Sequence, residues 1–184
     1  MTLGLKDLYY AVMSEKDGVE TYAQPKKFSE ALTADLSVNV AEATLYADDA
    51  LNESEAEFVN GTLKLGIKDL TNEVLADILG QELDEEGVLW AGDGDTAPFV
   101  AIGFRANKGG GKYRYIWLQR VKFKQNSDSF ETKGESISFK TPEIEGTFSK
   151  SLTTGKWKAD YTGLPTDEIA KNWFTAVKTY TPAA

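Results

Sequence analysis

The chain has 184 residues, 41% of them hydrophobic and 27% charged, ordinary proportions for a globular domain whose core needs no staples. It has no cysteine and no histidine, which excludes disulfides, thiolate nucleophiles, Cys/His zinc sites and Ser-His or Cys-His catalysis. A formal charge of −9, from 29 acidic and 20 basic side chains, argues against binding nucleic acid or an anionic membrane through Lys and Arg.

The first residues, Met1 to Leu8, lack a basic region followed by an apolar stretch, and the longest apolar run nearby is Leu8 to Met13. No signal peptide and no membrane span are therefore expected, and folding in a cytosol is. Leu32, Ala34, Leu36, Val38 and Val40 then alternate with polar or small residues, which predicts a strand with that face buried. Leu63, Leu65 and Ile67 repeat the pattern. Between them, residues 41–58 fit neither period and carry six carboxylates without one Lys or Arg. Leu45, Tyr46, Leu51 and Phe58 lie among those acids, more apolar surface than a disordered acidic loop would keep. Two readings stay open for this long loop: a solvated hairpin or short helix at 52–58, or an arm that orders against another chain.

Thr71 or Asp69 can cap a helix over Asn72–Leu79, with Val74, Leu75, Ile78 and Leu79 as its apolar stripe and Gly80 as its stop. Phe99–Ala106 and Tyr113–Lys124 read as a hairpin around a glycine-rich turn. On its second arm Tyr113, Tyr115, Trp117, Val121 and Phe123 are expected on one face. Arg114, Ile116, Leu118, Arg120, Lys122 and Lys124 are expected on the other. Strands follow at Ser136–Lys140 and Glu143–Lys150, the latter with Ile144 and Phe148 inward. A C-terminal helix is expected over about 166–178, burying Ile169, Trp173, Ala176 and Val177. No repeat or linker divides the chain. The expected fold is a single domain over 1–184, α+β but mainly β, sandwich- or barrel-like, with one or two helices and a long extended loop.

The chemistry-bearing motifs reduce to turns. Lys108-Gly-Gly-Gly-Lys112 lacks the spacing of a phosphate loop and is followed by a strand rather than a helix. Gly92-Asp-Gly-Asp-Thr96 offers two carboxylates in step, then Ala97 and Pro98 end the series, short of a calcium loop. Asp48-Asp49 and Asp84-Glu-Glu86 lie in polar stretches with no pocket to raise a pKa. No enzyme, cofactor or metal site is expected. Trp90 and Trp157 flank loops and could anchor a ligand, so a monomeric β-sandwich module binding carbohydrate or protein is one reading. The cationic residues Arg114, Arg120 and Lys122 suggest another, in which they meet the acidic arm of a neighbouring copy.

Long ordered blocks support the second reading. Gly4-Leu-Lys-Asp-Leu-Tyr-Tyr-Ala11, Ala34-Asp-Leu-Ser-Val-Asn-Val-Ala-Glu-Ala-Thr-Leu-Tyr-Ala-Asp-Asp49 and Glu57-Phe-Val-Asn-Gly-Thr-Leu63 resemble the major tail proteins of siphophages of Gram-positive hosts. So do Phe99-Val-Ala-Ile-Gly-Phe-Arg-Ala106, Lys112-Tyr-Arg-Tyr-Ile-Trp-Leu-Gln-Arg-Val-Lys-Phe123, Ser129-Phe-Glu-Thr-Lys-Gly-Glu-Ser-Ile137 and Thr141-Pro-Glu-Ile-Glu-Gly-Thr147. The resemblance covers most of residues 4–150. It implies a structural virion protein, not an enzyme, assembled in host cytoplasm into hexameric rings that stack as the tail tube. The implied partners are other copies, the tape-measure protein, the tail terminator and the distal or initiator proteins, with DNA passing but not held. A phage-tail-like bacteriocin would use the same sequence type.

Residues expected at contacts between subunits or rings are Glu42, Leu45, Tyr46, Asp48, Asp49, Leu51, Glu53, Glu55 and Phe58 on the arm. Arg114, Arg120 and Lys122 would face them. Six copies at −9 each carry −54 formal charges, a field that would repel phosphate from a lumen.

Overall fold

The computed structural model describes residues 3–47, 50–125 and 141–182, giving the backbone alone for residue 3 and for 43–47 and 50–55. The expected strand at Ser136–Lys140 lies outside the described residues. The fold is mainly β: one nine-stranded antiparallel sheet, sandwich-like, with two short helices and a two-stranded ribbon. Its strands are β1 (Leu3–Lys16), β2 (Val19–Tyr22), β3 (Lys26–Ser29), β4 (Ala31–Ala47) and β5 (Ala50–Ile67). Helix α1 (Asn72–Leu79) and the ribbon β6 (Glu82–Leu83) and β7 (Leu89–Trp90) then precede β8 (Val100–Gly109) and β9 (Lys112–Phe123). The chain ends with β10 (Glu143–Ser149), β11 (Lys158–Gly163) and α2 (Glu168–Lys171).

The strand order is β2-β1-β8-β9-β10-β5-β4, with β3 also on β1 and β11 also on β9. Only Glu30 separates β3 from β4. The two act as one strand that leaves β1 and joins β5, so the sheet curls and β4 comes up against β1. The main core fills that curl with Leu8, Tyr10, Phe28, Leu63, Leu65, Ile67, Ile102, Leu118, Phe123, Ile144 and Phe148, under the α1 residues Val74 and Ile78. A second cluster on the opposite face joins Ala11, Ala101, Tyr115 and Trp117 to Ala170 and Trp173. Burial on both faces makes β8 and β9 the centre of the domain.

Local rules set several elements as expected. Thr71 caps α1, its hydroxyl accepting the Val74 N–H, and Gly80 ends the helix with φ 69°. The β8–β9 turn has positive φ at both central residues, Gly110 (61°) and Gly111 (75°), the requirement of a I′ hairpin that glycine meets without strain. A Cβ on Gly103 would sit 2.8 Å from the Trp117 ring, so β8 gives up a side chain there to seat the indole.

Three expectations need correction. Val121 and Phe123 do not share the face of Tyr115 and Trp117; they join Ile116 and Leu118 in the main core. Ile102 pairs with Leu118 but Val100 with Val121, so β9 carries one extra residue, and this bulge reverses the alternation. The C-terminal helix is only Glu168–Lys171 rather than 166–178. Trp173 and Phe174 are consecutive yet both reach the Tyr115 ring, at 5.9 and 6.3 Å, which a continuing helix would prevent by turning them about 100° apart. Ile169 is accordingly 52% exposed rather than buried. Finally, residues 41–58 are strand rather than loop or helix: β4 and β5 pair from Ala31–Ile67 to Ala47–Ala50, with register shifts at Ala31/Thr33, Asn39/Val40 and Leu45/Tyr46, as one extended hairpin, the form one of the two open readings gave them.

Candidate self-association surface

The β4–β5 hairpin has two halves. Its inner half is part of the sheet, with β10 paired along β5 from Gly61 to Gly66. Past Gly61 that support ends, and among the described residues neither limb has another strand beside it. The outer half begins at the pair Asn39–Asn60, whose side chains are hydrogen bonded at 2.7 Å. Nine residues of β4 then run on to Ala47, about 30 Å of strand.

β4 is also an unpaired edge. Among the described residues its only strand partner is β5, so a row of backbone N–H and C=O groups faces outward along 17 residues. Edge strands are usually blunted by Lys, Pro or a short length. This one contains no Lys, Arg or Pro and only two acids, Asp35 and Glu42. Leu32, Val38 and Val40, expected to be buried with Ala34 and Leu36, are 52, 44 and 48% exposed, and Val59 on β5 is 53% exposed. The correction is physical: Ala34 and Leu36 pack onto the core, whereas register shifts at Ala31/Thr33 and Asn39/Val40 and the end of β10 leave the others uncovered.

The arm residues proposed from sequence divide by position. Glu42 is exposed on β4 opposite Ala56. Phe58 lies at the root of the outer half, half-buried, stacked on Trp157 at 4.8 Å and Phe148 at 6.1 Å. The side chains of Leu45, Tyr46, Leu51, Glu53 and Glu55 lie outside the described set, as do Asp48 and Asp49 entirely.

The proposed cations are each engaged within the chain. Arg114 pairs with Asp160 on β11 (Nη2 to Oδ2, 2.5 Å), and this hydrogen bond leads in holding the Asp160 carboxyl below its usual range. Arg120 is only 12% exposed; its Nη1 lies 3.2 Å from Glu20 Oε1 and its guanidinium 4.0 Å from the Phe99 ring centroid. Glu20, with a side chain 1% exposed, also accepts the Ser151 hydroxyl and the Leu152 N–H. Lys122 sits over the same Phe99 ring at 5.4 Å. The two carboxylates come from β2 and β11, far along the sequence, so nothing local announced them, whereas Phe99 lies across the predicted hairpin from Arg120 and Lys122.

The two uncommitted tryptophans also separate. Trp157 is half-buried in the Phe58–Phe148 stack. Trp90 is 60% exposed at the end of the β6–β7 ribbon, its indole N–H donated to Asp84 Oδ2 at 2.8 Å. Gly92-Asp-Gly-Asp-Thr96 is a turn in which Asp95 accepts the Gly92 N–H at 2.8 Å. The arrangement is therefore suited to backbone pairing and surface contact. Compared with known proteins, the chain matches no family model and no curated protein.

Proposed function

We propose that the chain is a structural virion protein, the tail-tube subunit of a long-tailed phage. Copies join through the β4 edge and the β4–β5 arm into rings, hexameric on the resemblance, and the rings stack into a conduit for DNA. One observation carries the reading: a 17-residue edge strand without Lys, Arg or Pro, bearing exposed Leu32, Val38 and Val40 beside exposed Val59. A lone domain with such an edge invites another strand, and pairing around a closed ring satisfies every edge at once. The acidic composition suits the same role, because a negative lumen gives passing phosphates nothing to hold.

Negative-stain electron microscopy of concentrated protein tests this, with wild type beside a variant lacking residues 44–54. Rings or tubes are expected from the wild type alone, with matching circular-dichroism melts for the two proteins. Monomers in both samples that also fail to extend a tail initiator would overturn the reading in favour of a monomeric binding module.

A further inference from the structure

The net charge of the chain is not spread over it. Residues 69–104 hold nine Asp and Glu and no Lys or Arg, while the rest of the sequence is balanced at 20 of each sign. Into this stretch the fold sets its most exposed tryptophan. Trp90 is 60% and neighbouring Val88 42% exposed, and neither is loose. Asp84 accepts the Trp90 indole N–H on one oxygen and the Glu86 and Val88 amides, at 3.0 and 2.8 Å, on the other. The Asn72 side chain ties the Gly87 carbonyl to the start of α1 at 3.0 Å. An aromatic held rigid in solvent has already lost the freedom that binding would cost, the state of a preorganised contact anchor.

The sheet register locates the end of the acidic stretch that carries this turn. Gly80, at the end of α1, backs onto the Thr96 carbonyl, just before β8 begins at Val100 beside Val121 and Val12. The β8–β9 tip lies at the far end of β8, ten residues or about 30 Å away. That tip carries the opposite charge: Lys108 and Lys112 are exposed and form no ion pair among the described residues, although Lys112 helps hold the Asp167 carboxyl low. Leu164, 41% exposed, sits beside Gly111 and gives the tip an apolar patch.

We infer that the Val88–Trp90 turn of one copy docks on the Lys108–Lys112 tip and Leu164 of a second copy, a head-to-tail contact. Two different patches of one domain that match in charge and in apolar surface make a heterologous interface, which propagates rather than closing as a dimer. Trp90 and Val88 cover Leu164, and Glu85 and Glu86 meet the two lysines. The contact rests on the proposal that copies associate, but it uses neither β4 nor the arm.

The absence of cysteine makes the test clean. Chains carrying Val88→Cys and chains carrying Leu164→Cys are mixed under mild oxidation, both in a Val40→Lys background that blocks the β4 edge and also without it. Circular-dichroism melts check that each variant folds. A disulfide-linked heterodimer is expected about tenfold above that from Val88→Cys mixed with Lys16→Cys. Glu85→Lys with Glu86→Lys in the first chain lowers the yield, and Lys108→Glu with Lys112→Glu in the second restores it. A yield at the control level, or no restoration by the paired reversal, would overturn the contact. Tubes that persist in the Val40→Lys protein would instead count against the β4 edge alone, so the two proposals fail separately.

Discussion

The two halves of the β4–β5 hairpin use their aliphatic side chains to opposite ends. In the inner half Leu63, Leu65 and Ile67 are fully buried; in the outer half Val40 and Val59 are about half exposed, at 48 and 53%. Hydrophobicity does not distinguish them. Neighbours do: β10 and the core cover one half, and past the Asn39–Asn60 pair no strand among the described residues covers the other. Apolar alternation reports that a surface wants to be covered, not which chain covers it. On the proposed function, the outer half, with the exposed Leu32 and Val38 of the inner half, is left for contact.

Phe148 lies where the halves meet, fully buried opposite Gly61 and stacked 5.4 Å from Trp157. Phe148→Ala should cost about 3–5 kcal/mol in urea unfolding. A loss below about 1 kcal/mol would mean that the inner half is not the fold's anchor. Next in size is Glu20→Ala, which strands the buried Arg120 guanidinium and should cost about 3 kcal/mol. Unchanged stability there would return Arg120 to the pool of cations that an acidic arm could use.

A smaller effect depends on pH. The Arg114 hydrogen bond leads in holding Asp160 below the ordinary value of 3.8, so the folded state binds that proton less readily than the unfolded chain. Its contribution is complete above the ordinary value and lost as pH falls through the lowered one. Stability of the wild type and Asp160→Asn should therefore converge on acidification below about pH 4, measured by denaturant midpoints. A constant gap across that window would show that the pair does no such work. Smallest of all, Val40→Lys should change monomer stability by less than about 0.5 kcal/mol while abolishing association through the β4 edge, read as the loss of rings and tubes in electron micrographs. Loss of both together would erase the distinction between the halves.

What could be read from sequence was what neighbouring residues decide. Thr71 and Gly80 bracket α1 because capping is local, and Gly110-Gly111 fix the hairpin because its turn demands positive φ. The inward Ile144 and Phe148 follow from simple alternation. The extra residue between Leu118 and Val121 leaves no local mark, so one slip moved Val121 and Phe123 to the wrong face. Trp173 and Phe174 left the helical path for rings on a strand more than 50 residues earlier. The exposure of Val38 and Val40 was hidden for the same reason, since an edge is a property of the sheet order and not of the strand.

The central claim is that the outward edge of β4 is where copies meet. Hydrogen–deuterium exchange at low and high protein concentration measures it directly. The account predicts that the outward-facing amides of residues 33–42, those not bonded to β5, exchange fast in dilute protein and become protected on concentration, while β9 amides stay protected throughout. Exchange in β4 that is independent of concentration, under conditions where particles form, would contradict it.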